Sequence, residues 1–104
     1  MELTVGDRII LLSILPERGT FLTMKVVHEL RQALHFGEAE LVEFGITIAG
    51  ERCEWKADRA VEVPIGPVAR GIIVDALKAI DAAEAITDRE YSLYERFVEA
   101  EAAT

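Results

Sequence analysis

The stretch HELRQALHF, residues 28 to 36, holds both histidines of the chain, His28 and His35, with Glu29 beside the first. A metal-dependent hydrolase helix needs imidazoles at i and i+4 so that both reach one ion, with glutamate at i+1 as general base. Glu29 is in place, but position 32 is Gln32, and the second histidine arrives at i+7. At 1.5 Å per residue this is roughly 10 Å along the axis, too far for two rings on one helix to share an ion. Hydrolysis is therefore the weakest reading of the pair, and solvated helix histidines are the plainer one.

Other catalytic chemistries fare no better. Cys53 becomes a nucleophile only if a base takes its proton, and sequence places neither histidine beside it. Its alternation with Trp55 puts both on the buried face of a strand, where a thiol is simply core. Nineteen acidic residues make chance carboxylate pairs certain, so none is singled out as an acid/base dyad. GPVARG lacks the Lys-Ser/Thr end of a phosphate loop and the spacing of a dinucleotide fingerprint. No catalytic residue, metal or cofactor is assigned.

The elements that must position these residues fit one domain, residues 1–104. Thr4 and Asp7 mark the start of a first helix over residues 5 to 15, apolar on most sides and stopped by Pro16. Thr20 caps a second helix reaching Phe36, with Phe21, Met24, Val27, Leu30 or Arg31, and Leu34 at helical spacing. Its polar face carries Lys25, His28, Gln32 and His35. Glu38 to Phe44 reads as a short third helix ended by Gly45. ITIAGERCEWKA alternates as a hairpin, and AVEVPI is a further extended piece in which Pro64 marks a sheet edge or strand end. Pro67 opens a fourth helix with Ala69, Ile72, Ile73, Ala76, Leu77 and Ile80 as its stripe. Thr87 and Glu90 form a capping box for a fifth, whose stripe is Tyr91, Tyr94, Phe97 and Val98. The fold class is α+β: three N-terminal helices in a winged-helix-like order, a small antiparallel sheet and two C-terminal helices.

Net charge is −8. Residues 1 to 36 balance four basic against four acidic side chains, while residues 37 to 60 hold three against six and residues 61 to 104 four against nine. Direct nucleic-acid binding is disfavoured, because that affinity rests on Lys and Arg displacing counterions. The third helix, which would enter the groove in a winged helix, carries Glu38, Glu40 and Glu43 and no base. No apolar run approaches the roughly 20 residues of a membrane span. The run IILLSILP has neither the basic leader nor the cleavage site of a secretion signal. One cysteine excludes an internal disulfide, so a cytoplasmic setting is expected.

Two segments, GDRIILLSILPERGTFLTMKVVHELRQALHFGEAELVEFGI and IGPVARGIIVDALKAIDAAEAITDREYSLYERF, resemble a widespread group of small bacteriophage and prophage proteins of unknown activity. That group has an R-I-x-L-x-x-x-L-P-x-x-G start and a K-x-V-x-x-L-x-x-x-L helix, matched here by Lys25, Val27, Leu30 and Leu34. A T-D-x-x-x-S-L-Y-x-x-F ending is matched by Thr87, Asp88, Ser92, Leu93, Tyr94 and Phe97. Relatives tend to have serine where Gly37 stands. The resemblance implies a phage setting and no catalytic residues.

Partner binding is the function these features favour. The stripe Tyr91, Tyr94, Phe97 and Val98 is of a type enriched in interface cores, and the polar face Lys25, His28, Gln32 and His35 is a second contact candidate. Expected partners are a second copy, as a homodimer, and a host or phage protein. A single monomer core burying every stripe stands beside self-association as an equal alternative. A regulator of nucleic-acid transactions, as a winged-helix remnant or an acidic DNA mimic, is the alternative of a different class.

Overall fold

The computed structural model describes residues 1–49 and 52–99. Thr4 shows how the first helix begins. Its hydroxyl accepts from the Asp7 amide at 3.2 Å, and the Asp7 carboxylate accepts from the Thr4 amide at 3.1 Å. This reciprocal pair satisfies two backbone donors that a helix start leaves open. Helix α1 runs Val5–Ile14 and ends where Pro16 forces Leu15 into an extended conformation. Thr20 caps α2, Phe21–Leu34, by accepting from the Thr23 amide.

The second helix stops two residues before Phe36, where the sequence placed its end. The physical reason is tertiary. Phe36 turns inward to join Val5 and Phe44 in a small cluster of its own. Helix α3, Glu38–Phe44, is anchored to that cluster by Phe44 and ends at Gly45, which is left-handed at φ 61°. A Cβ at Gly45 would lie 3.2 Å from the Lys56 Cβ, so both backbone and space oppose a side chain. Gly45→Ala is expected to cost about 1–2 kcal/mol, read as a lower urea midpoint at unchanged m-value.

Strand β1, Glu2–Leu3, precedes α1; the remaining strands follow α3 as β2 Thr47–Ala49, β3 Arg52–Glu54 and β4 Val61–Glu62. β2 and β3 pair antiparallel with Thr47 opposite Glu54. β4 does not extend that hairpin. It pairs antiparallel with β1, Leu3 opposite Val61 and Glu2 opposite Glu62. The extended segments thus form two separate ladders, with Pro64 just past the end of β4. Trp55 is 38% exposed, with its ring against Gly6, and Cys53 is half-buried, so the expected buried face of that strand is only half realised.

Helix α4, Pro67–Ala82, starts on its proline, and α5, Asp88–Tyr94, starts on the Thr87–Glu90 capping box. A π-helical turn, Glu95–Glu99, continues α5. The main core lies where α1, α2, α4 and the α5–π segment meet: Leu11, Leu30, Leu34, Ile73, Leu77 and Phe97 are among its buried members. The architecture is α+β: one short strand precedes the three N-terminal helices, and three more lie between them and the two C-terminal helices. Among the described residues no helix is long and apolar enough to cross a membrane.

Candidate functional site

Helix α2 reaches the core along Val27, Leu30 and Leu34, which leaves its opposite side to solvent. Lys25, His28, Gln32 and His35 are all exposed there. His28, Gln32 and His35, together with Arg31, line a shallow concavity of about 320 Å³. The His28 and Gln32 Nε2 atoms stand 3.4 Å apart. Arg31 donates to the Pro16 carbonyl at 3.3 Å and so ties the turn after α1 to this face. The strip can offer hydrogen bonds. Among the described residues no group of three His, Cys, Asp or Glu side chains could hold a metal ion.

The end of this face is held by a residue that the sequence shows only as one of the four basic side chains of residues 1 to 36. Arg8 is 2% exposed. Its Nε donates to the Leu34 carbonyl at 3.2 Å and its Nη2 to the His35 carbonyl at 2.8 Å. Both are acceptors left open at the end of α2. Nη1 donates to Glu40 Oε2 at 2.7 Å, and the guanidinium lies 4.1 Å from the Phe36 ring centre. The Arg8 hydrogen bond holds the Glu40 carboxyl below the ordinary glutamate range, against the opposing effect of partial burial. One side chain therefore joins α1, the end of α2 and the start of α3. Its signal was present in the sequence: Arg8 lies between Val5 and Leu11, within about 60° of each around the helix, and so on the side of α1 that those two bury.

The C-terminal stripe divides. Tyr91 is 60% exposed and Tyr94 half-buried, its hydroxyl 3.3 Å from Asp81 Oδ2. Phe97 and Val98, expected at a partner surface, are instead core: Phe97 is fully buried with Arg70 over its ring at 5.2 Å. The buried ridge of this segment is Leu93 and Phe97, an i, i+4 pair. Tyr91, two positions from Leu93, points to nearly the opposite side.

A corresponding correction applies to the start of α2. Phe21, counted in the buried stripe, is 86% exposed, and Leu22 beside it is 68% exposed. Steps of three lag a helix by about 60° each, so two of them rotate Phe21 roughly 120° away from Val27. Leu22 instead continues the ridge of Val26 and Ala33. That ridge faces the start of α4 across a groove of about 410 Å³ whose other wall includes Pro64, Pro67 and Val68. Val68 is 62% exposed.

Cys53 belongs to a different depression with Gly6, Ile9, Ile10, Trp55 and Arg89, and neither histidine lines it. The thiol has no imidazole there to take its proton. Compared with protein-family models, with curated proteins and with solved structures, the chain matches none.

Proposed function

We propose that this chain is a small phage-type accessory protein that acts in the host cytoplasm without catalysis, by binding protein: itself, or a host or phage protein. The observation that carries this reading is the exposure of Leu22 and Val68 at the groove between α2 and α4, with Phe21 exposed on the adjoining polar face of α2. Scattered single apolar residues on a surface need no explanation. Here Leu22 heads the ridge of Val26 and Ala33 that walls an apolar groove, the arrangement of an anchor beside a pocket, and Phe21 adds a second large exposed side chain on the next face of the same turn. The polar strip of Lys25, His28, Gln32 and His35 runs beside it and supplies hydrogen bonds at the rim, as protein interfaces use them.

The nucleic-acid alternatives draw less support. In α3, Glu40 is paired with Arg8 and Glu43 with Arg59 at 3.0 Å, so these carboxylates are partly neutralised within the molecule. An acidic mimic needs them turned outward as one negative face. Hydrolysis draws the least support, since among the described residues no group of three His, Cys, Asp or Glu side chains could hold a metal ion at the histidine strip.

Phe21→Glu is expected to keep the fold, with stability changed by no more than about 0.5 kcal/mol, because the ring touches water on most sides. Its binding to any protein partner should weaken by at least about 2 kcal/mol. Light scattering for self-association and capture from host lysate, each with wild type and variant, check this. A strict monomer that recovers no partner would remove the reading.

A further inference from the structure

We infer that the solvent face of α2 is a docking seam for an acidic helix of a partner protein. The inference rests on the protein-binding reading above and names the chemistry of the partner. Phe21, Lys25, His28, Gln32 and His35 are all exposed, and they follow one another at intervals of four, three, four and three residues. At roughly 100° per residue these five positions fall within about 40° of Phe21, on the side of α2 opposite Val27, Leu30 and Leu34. The same alternation is what keeps two helices in contact when they lie side by side. The row is roughly 21 Å long. His35 closes it as the helix cap, with its amide still bonded to the Arg31 carbonyl.

Charge says what the seam accepts. Every polar member of the row can donate: Lys25 through its ammonium group, Gln32 through its amide, and each imidazole through at least one N–H in either protonation state. Arg31, on the flank, lines the same concavity as His28, Gln32 and His35. The one carboxylate of α2, Glu29, stands about 80° round the helix from Phe21 and lines the α4 groove instead. On the turn that Arg31 ties to this face, Glu17 and Arg18 are both exposed and offset each other. Among the described residues no ion pair engages Lys25, His28 or His35. In a chain of net charge −8, such a row is locally complementary to carboxylates, the reverse of what the whole molecule attracts. Phe21, 86% exposed at one end of the row, supplies an apolar anchor. Exposed ion pairs contribute only about 0–1 kcal/mol each, so the donors choose the helix while Phe21 holds it.

The probe is an alanine-rich helical peptide of about twenty residues, long enough to hold a helix. Its own seam carries glutamates between two terminal leucines, at the spacing of the α2 row; two controls replace the glutamates by glutamine or by lysine. Titration into the full-length, nitrogen-15-labelled protein is followed by amide NMR. The glutamate peptide is expected to bind at least about tenfold more tightly than the glutamine one, with shifts along Phe21, Lys25, His28, Gln32 and His35, and to weaken as salt is raised. Lys25→Glu should weaken it severalfold and should let the lysine peptide shift the same amides, since the pairing is remade with opposite sign. Phe21→Ala should weaken the glutamate peptide about tenfold. Circular dichroism of each variant checks that these exposed substitutions leave the helices intact. No binding of the glutamate peptide overturns the inference, as does equal binding of the glutamine one or shifts that lie away from α2. Self-association of the protein that Lys25→Glu abolishes also overturns it, because a second copy is then the occupant. If the glutamate peptide fails while Phe21→Glu still abolishes a protein contact, the acidic helix is removed and protein binding stands; a protein that makes no contact at all removes both.

Discussion

Arg8→Met is expected to destabilise the protein by about 3–5 kcal/mol, the range measured when one partner of a buried ion pair is removed. Methionine keeps most of the stem volume but leaves the Leu34 and His35 carbonyls without the donors that Arg8 supplies. Each buried acceptor left open costs about 1–3 kcal/mol. Glu40 can recover water because its side chain is 28% exposed, so the two carbonyls account for most of the loss. For a domain of this size the melting temperature should fall by roughly 15 °C or more, measured by thermal denaturation.

The same contact has a pH signature. Arg8 holds the folded Glu40 carboxyl below its ordinary value. A depressed folded-state carboxyl contributes stability that is fully present above the unfolded-state value and is lost as pH falls through the folded one. The wild-type protein should therefore lose stability on acidification below the ordinary glutamate range. Arg8→Met should show a shallower loss there, because the pairing that set the shift is gone. An equally steep acid profile in both proteins would show that Glu40 does not contribute.

Phe97→Ala is the second large effect, expected to cost about 3–5 kcal/mol from lost transfer energy and the cavity left behind. Phe97 is fully buried, beneath Arg70 and among the residues of the main core. Tyr91→Ala, on the same segment, should change stability by only about 0.5 kcal/mol, since most of its ring is already in water. Urea denaturation of the pair measures the difference directly. Comparable losses for both would mean that Tyr91 is covered, and the division of the C-terminal stripe would then be wrong.

Why the stripes were misread is a matter of angle. A helix ridge taken in steps of three drifts, and drift of about 60° per step is enough to move Phe21 from core to solvent over two turns. At the other end of the chain, Leu93 was passed over beside two tyrosines, although the Leu93–Phe97 pair is the one that faces inward. Hydrophobic size alone does not say which of several adjacent apolar residues a helix will bury, since neighbours more than ten positions away decide it. The candidate site suffered from the same limit. The polar strip of Lys25, His28, Gln32 and His35 was legible from spacing, whereas the groove beside it needs Pro64, Pro67 and Val68 brought against α2.

The features decided by sequence alone are those whose physics closes within about one helical turn. Thr4, Thr20 and Thr87 start helices because their hydroxyls reach amides two or three residues on. Pro16 and Gly45 end helices through their own backbone preferences. The i+7 spacing of His28 and His35 likewise argued against a shared metal without any fold in hand. Tertiary structure decided the rest: that β4 pairs with β1 across about sixty residues, that Arg8 is buried with two carbonyls and a carboxylate, and that Phe21 is exposed while an apolar groove opens between α2 and α4. Burial and strand pairing depend on which distant segments meet, and their free energy comes from that meeting and not from the local chain.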